Sequence, residues 1–182
     1  MITQEIIERC KCKEQRAFKE CYEKCAPYVY TIIKSYIYEP EFRKDAMQEV
    51  FAQIFLYINK YDSKKGAFKS YISKIAINQC IAILRKRKTI NLFVPLEENH
   101  QAIGQADINL DRLTKKDIEK ILEKMPDGYR TIFLLFVIDD YKHKEIAELL
   151  NITAETSRSQ LSRAIRWIKT KQLVNLKTIT YG

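Results

Sequence analysis

The chain has 182 residues and a formal net charge of +9, with 46% hydrophobic and 30% charged residues. That length holds one large or two small domains with real cores, and the basic balance favours a polyanionic partner, either nucleic acid or an anionic membrane surface. No apolar run is long enough to span a bilayer, and the opening residues, MITQEIIERCKCKEQ, lack a basic-then-apolar signal architecture, so a cytoplasmic protein without membrane insertion is expected.

Four glycines and four prolines in the whole chain, strong helical periodicity and no alternating strand pattern predict an all-α protein. The five cysteines are an odd number, which argues against a disulfide framework. Cys10, Cys12, Cys21 and Cys25 cluster, which suggests a zinc or redox site. However, Cys10 and Cys12 would project from different sides of a helix, and the two-residue knuckle spacing is missing. Small buried residues on packed helices is the preferred reading; no metal or cofactor is expected.

In chain order, Thr3 is placed to cap a first helix through Ile6 and Ile7 to about Cys12. A longer helix is predicted from Gln15 to Tyr38, its inner side formed by Ala17, Phe18, Cys21, Tyr22, Cys25, Val29, Ile32, Ile33 and Tyr36. Pro27 inside it should kink or divide it, because proline lacks an N–H and crowds the preceding turn. After a break at Glu39-Pro40, Phe42 to Ile58 is strongly patterned. Met47, Val50, Phe51, Ile54, Phe55 and Ile58 follow helical spacing, and Asp45, Gln48, Glu49 and Gln53 lie opposite. Such a face is commonly just solvated; on a basic protein it is also a docking point for a basic partner.

Residues 59–67, NKYDSKKGA, read as a turn-rich loop. A helix follows from Phe68 to about Lys88, with Asn78 in its middle and a basic run at its end that suits the helix dipole. Tyr61, Phe68 and Tyr71 stand among Lys60, Lys64, Lys65, Lys69 and Lys74. That mixture suits a single-stranded nucleic acid, since cations follow the phosphates and aromatic faces receive unstacked bases. A plain core role competes for Phe68 and Tyr71, more strongly for Phe68.

From Thr89 to about Leu113 the periodicity fails and the charge changes sign, with Glu97, Glu98, Asp107 and Asp111. This reads as a flexible acidic linker, residues 89–113, between domains 1–88 and 114–182. His100 in it is a lone histidine with no partner cluster. Asp117 to Lys124 is predicted helical, and Met125-Pro126 starts another helix through Thr131, Ile132, Leu135, Phe136 and Ile138, with Pro126 in its tolerated first turn.

Tyr141 to Lys171 reads as a helix-turn-helix. Ile146, Ala147, Leu149 and Leu150 pattern the first helix, Asn151-Ile152-Thr153 interrupts, and Thr153 caps a second helix from Ala154. Leu161, Ala164, Ile165 and Ile168 share one side of that helix, and basic and hydroxyl residues fill the rest. An acidic helix, a short turn and a basic helix form the pattern whose second helix enters the DNA major groove. An ordinary amphipathic helical hairpin is the bland alternative.

Two separated blocks resemble one family. Asp45 to Lys88, DAMQEVFAQIFLYINKYDSKKGAFKSYISKIAINQCIAILRKRK, is similar to conserved region two of the bacterial sigma-70 superfamily. Met125 to Ile165, MPDGYRTIFLLFVIDDYKHKEIAELLNITAETSRSQLSRAI, resembles its region four. No block between them could hold the intermediate domain of larger members, which makes the chain similar to the extracytoplasmic-function group. The resemblance implies a factor that binds core RNA polymerase and directs promoter recognition and melting. It implies that Asp45, Gln48, Glu49 and Phe51 dock on the β′ clamp helices. Tyr61, Lys64, Lys65, Phe68, Lys69, Tyr71, Lys74 and Asn78 would hold the −10 promoter DNA, with Asn78 against an extruded base. Thr156, Arg158, Ser159, Gln160, Arg163 and Arg166 would meet the −35 element, where arginine suits guanine or phosphate and glutamine suits adenine.

The resemblance further implies that the surface around Leu134, Phe136 and Val137 faces the β flap, that the linker lies in the polymerase cleft, and that an anti-sigma factor or other regulatory protein controls the chain. Three positions depart from the family pattern. Tyr71 stands where tryptophan is usual, Ser73 replaces a frequent aromatic, and Lys142 stands where a Ser or Thr cap is common, with Asp140 as a substitute. A stand-alone helix-turn-helix regulator is the alternative function. An enzyme finds little support, because no acidic cluster converges for metals and no glycine loop cradles phosphate.

Overall fold

In a computed structural model of the chain, residues 2–86 and 115–179 are described, with side chains at 2–86 and 120–170. No strand occurs among the described residues, and they fall into two units, residues 1–86 and 87–182. The expected linker, residues 89–113, lies outside the described residues, as do Arg87, Lys88 and His100.

The first unit begins with α1, Gln4–Lys11, capped by Thr3, whose Oγ1 accepts from the Ile6 N–H at 3.4 Å. Ile6, Ile7 and Cys10 bury its inner side. Arg9 fastens α1 to the next helix: its Nε and one Nη donate to the Glu14 carboxylate at 2.8 and 2.5 Å, and the same Nη reaches Glu20 at 3.2 Å. That helix, α2, Gln15–Tyr36, is continuous through Pro27, so the expected division does not occur. A proline forfeits one intrahelical bond and crowds its turn, but Cys21, Cys25, Val29 and Ile33 are buried on one stripe across it. Packing on both sides of the proline keeps the helix continuous.

Helix α3, Pro40–Tyr57, starts two residues earlier than predicted, with Pro40 in its first turn, where the missing N–H costs nothing. The Arg43 guanidinium donates to the carbonyls of Ile37 and Tyr38, closing the end of α2 onto the start of α3. A 3-10 turn, Ile58–Lys60, leads to the loop, and α4 runs Phe68–Lys86. Helices α2, α3 and α4 pack against one another and α1 lies on α2, around a core that includes Val29, Ile33, Tyr36, Val50, Ile54, Ile77 and Ile81.

The second unit holds α5, Lys115–Lys124, two residues longer at its start than predicted, and α6, Asp127–Phe133, which begins just after Pro126. A π-helical turn, Leu134–Ile138, continues α6. Helix α7, His143–Leu150, and α8, Ala154–Ile179, complete the unit; α8 packs on both α6 and α7. Arg130 is buried there, its guanidinium paired with Asp127.

Candidate nucleic-acid interface

The α7–α8 turn is built as its residues dictate. Asn151 takes φ +55° at the end of α7, a left-handed conformation that asparagine tolerates, and the Ile152 N–H donates back to the Ala147 carbonyl at 3.0 Å. Thr153 Oγ1 then accepts from the Thr156 N–H at 3.0 Å, the cap read from the sequence. The start of α7 differs from expectation. Lys142 sits at the cap position, and its own backbone N–H donates to the Glu145 carboxylate at 2.7 Å; Asp140, at φ +57°, supplies no cap there.

Along α8, Arg158 and Arg166 are exposed and Ser159 and Arg163 half-buried, so these four candidates reach solvent. Thr156 is half-buried with its hydroxyl 2.9 Å from that of Thr153. Gln160 is only 4% exposed and turns away from the reading face, which corrects its assignment as an adenine reader. Stepping the buried positions Leu161, Ala164 and Ile168 back by one helical turn reaches Ser157 and Gln160, and both are buried. The same stepping on the opposite face adds Glu155 and Ser162, both exposed, to the surface beside Arg158 and Arg166.

His143 has no sequence context that singles it out, yet it holds this pair of helices in place. Its ring stacks on Phe136 of the π-helical turn, with centroids 4.4 Å apart, and its Nδ1 lies 2.9 Å from the buried Ser157 hydroxyl on α8. Burial, and secondly the Arg158 charge, hold its pKa below the ordinary range, so the neutral ring is the form this contact favours. Leu134 is buried and leaves the expected β-flap surface, whereas Phe136 and Val137 are half-buried and Ile138 is exposed.

In the first unit, Asp45, Gln48 and Glu49 are exposed on α3. Ala52 continues their face, and so does Leu56, which is 66% exposed. Both follow at the spacing of three and four that puts helical neighbours on one side. Phe51 is not part of this surface. It is 4% exposed, with its ring centroid 4.5 Å from Tyr22 and 5.8 Å from Phe55, and therefore serves packing. Glu49 also accepts from the Gln79 amide on α4 at 2.6 Å.

The loop before α4 is tied locally. The Asp62 carboxylate accepts from the Lys64 N–H at 2.9 Å, and the Tyr61 hydroxyl donates to the Gly66 carbonyl at 3.1 Å. Gly66 has φ +153°, a conformation in which a side chain is strained. Tyr61 and Phe68 are buried, with rings 5.0 Å apart in an edge-on pair, so neither is available to a base. Tyr71 is half-buried, 5.4 Å from Tyr61, and donates to the Tyr57 carbonyl at 2.5 Å. Its neighbours at helical spacing, Lys74 and Asn78, are exposed, as are Lys64 and Lys65 in the loop. Lys69 points to the other side, its Nζ 4.5 Å from the Tyr28 ring centroid. On that side Tyr28 and Ser73 share a 2.6 Å hydrogen bond. The structure thus brings Tyr71, Lys74 and Asn78 onto one face, with the Tyr71 ring packed on the buried Tyr61 and Phe68, and places Lys69 on another side.

These surfaces define a two-unit helical protein of the DNA-binding helix-turn-helix class. Family models for sigma-70 region 2 and sigma-70 region 4 match residues 21–90 and 115–168. The extracytoplasmic-function RNA polymerase sigma factor SigW of Bacillus subtilis (strain 168) is 25% identical, over 97% of this chain and 99% of the relative. SigM of the same organism is 26% identical over 82% of this chain and 91% of its own length. A solved structure of CnrH in complex with the cytosolic domain of CnrY aligns over 93% of this chain and 96% of the other, with a TM-score of 0.49 and 16% identity. The chain belongs to the sigma-70 family, in its extracytoplasmic-function group, whose members direct promoter-specific transcription initiation by RNA polymerase.

Proposed function

We propose that the chain directs initiation through three surfaces of its own, beginning with α3. Asp45, Gln48, Glu49, Ala52 and Leu56 dock on the β′ clamp helices of core RNA polymerase. The observation that carries this is the leucine, 66% exposed in line with two carboxylates. A partner surface that is both basic and apolar accepts the carboxylates and the leucine together.

On α4, Tyr71, Lys74 and Asn78 hold the separated −10 strand, with Lys64 and Lys65 on its phosphates. Asn78 both donates and accepts at a base edge, and Tyr71 offers a ring against which a base stacks. On α8, Arg158 and Ser159 face −35 base edges with Ser162, while Arg163 and Arg166 meet phosphates. Phe136, Val137 and Ile138 face the β flap, and residues 89–113 thread the polymerase cleft. The factor works in the cytoplasm without catalytic activity or a metal of its own. An anti-sigma factor or other regulatory protein restrains it by covering the α3 face.

Co-purification with core RNA polymerase tests the docking face. The wild type is expected to bind and an Asp45→Arg, Glu49→Arg double variant to lose binding, with its circular dichroism unchanged. Equal binding by the folded variant would remove α3 from the interface.

A further inference from the structure

Where α3 ends, the chain passes through the 3-10 turn Ile58–Lys60, in which residues three apart eclipse one another. Ile58 and Tyr61 form the inward pair, 1% and 7% exposed, and the Tyr61 N–H donates to the Ile58 carbonyl at 3.1 Å. They pin the turn, and Tyr57 and Lys60, the pair one residue earlier, are both exposed. The Lys60 Nζ lies 4.5 Å from the Tyr57 ring centroid. Tyr57 is also tied to α4, because the Tyr71 hydroxyl donates to its carbonyl at 2.5 Å. Neither the α3 docking face nor the α4 stripe includes this ring and cation.

We propose that Tyr57 and Lys60 form a further nucleotide subsite for the separated strand, the ring taking an unstacked base and the ammonium the phosphate beside it. This subsite rests on α4 being the strand-holding surface, which it extends onto the end of α3.

A nucleotide of a single strand brings a π-face and an anion, and this pair offers a ring and a cation side by side. In the free chain the ammonium rests against the ring, a contact that is weak at an exposed site. A phosphate forms a charge-assisted hydrogen bond with the same ammonium. Lys60 therefore exchanges the ring for the phosphate, and the ring face it leaves receives the base. Tyr71 alone offers less, since its half-buried ring has Tyr61 at 5.4 Å and Phe68 at 6.1 Å. Tyr57, 38% exposed, supplies the more open ring.

The surrounding charge has the sign that a strand requires. Lys64 and Lys65 are exposed in the adjoining loop, and the Asp62 carboxylate is half-buried and accepts from the Lys64 N–H at 2.9 Å. The basic partner proposed for the α3 carboxylates would be repelled by Lys60, which sets the subsite apart from the docking face that ends at Leu56.

The test uses holoenzyme assembled from purified bacterial core RNA polymerase and the full chain. The probe is a fluorescein-labelled single-stranded DNA, taken from a random pool by its retention on wild-type holoenzyme and not on core alone. Tyr57→Ala is expected to weaken its binding about tenfold, the order of one lost base stack. Tyr57→Phe should bind like wild type and Tyr57→Leu should not, because stacking needs the ring and not merely apolar area. Lys60→Gln should reduce the slope of log affinity against log salt by about 0.7, one phosphate contact on a single strand, whereas Tyr57→Ala should leave that slope unchanged. All these variants should keep wild-type circular dichroism and affinity for core. Unchanged strand binding by Tyr57→Ala, or restoration by leucine as complete as by phenylalanine, would overturn the proposal. Loss of core binding by Tyr57→Ala would also overturn it, by placing the ring in the docking face. Asn78→Ala separates this subsite from the surface it extends. If Asn78→Ala weakens strand binding and Tyr57→Ala does not, the subsite alone falls; if neither does, the strand-holding role of α4 falls with it.

Discussion

His143 joins the π-helical turn, α7 and α8 through one ring, stacked on Phe136 and 2.9 Å from the Ser157 hydroxyl. Burial and then Arg158 hold its pKa below the ordinary 6.5. As pH falls through that value, the unfolded chain takes up a proton that the folded ring refuses. The unfolded state then binds more protons, so stability declines with falling pH. The decline begins at the unfolded value and levels off only below the folded one. Trp167 is the single tryptophan and lies on α8, so its fluorescence reports unfolding of this unit. Wild type should be less stable at about pH 5.5 than at about pH 7.5, and His143→Gln should lose most of that difference. An equal pH dependence in both proteins would place the ring's environment elsewhere. At this scale the sequence was only partly legible. Arg158 and Asn78 reach solvent as expected, because helical phase alone places them. Phe51, Phe68, Tyr61 and Gln160 do not, because an aromatic or an amide suits a core as well as a ligand, and only the packed neighbours decide between the two.

Capping chemistry sets the α7–α8 joint. Thr153 is exposed, so its contribution comes from the bond to the Thr156 N–H and not from burial. Thr153→Ala should destabilise the second unit by about 1 kcal/mol, and Thr153→Ser should restore most of it. Denaturant unfolding followed at Trp167 measures both; no loss in the alanine variant would mean that water replaces the cap. The turn was readable because asparagine in a left-handed conformation and a threonine cap are local choices. Two other features were not. The continuity of α2 depends on buried residues on both sides of Pro27, which local propensity does not weigh. The start of α7 depends on Glu145, three residues beyond the lysine that occupies the cap position.

Across the whole molecule, the change of periodicity after residue 88 and the helix-turn-helix pattern made a two-part, all-helical chain legible. The docking role proposed for the α3 face was not legible from the residues alone, since acidic helix faces are commonly only solvated and the partner proposed for it is another molecule. Ala52 and Leu56 extend the face by the same period that placed Asp45 and Glu49, and Leu56 adds exposed apolar area to it. In the function proposed above, the α3 face, the α4 stripe and the α8 stripe act together in one activity that requires polymerase. The most direct measurement of that activity is the fluorescence of 2-aminopurine placed in the −10 non-template strand of a promoter duplex, with purified bacterial core RNA polymerase and this chain added separately and together. Unstacking is expected only when both are present, and it should be reduced by Asn78→Ala. Unstacking by polymerase alone, or tight duplex binding by this chain without polymerase and no opening with it, would contradict a sigma factor acting through these surfaces.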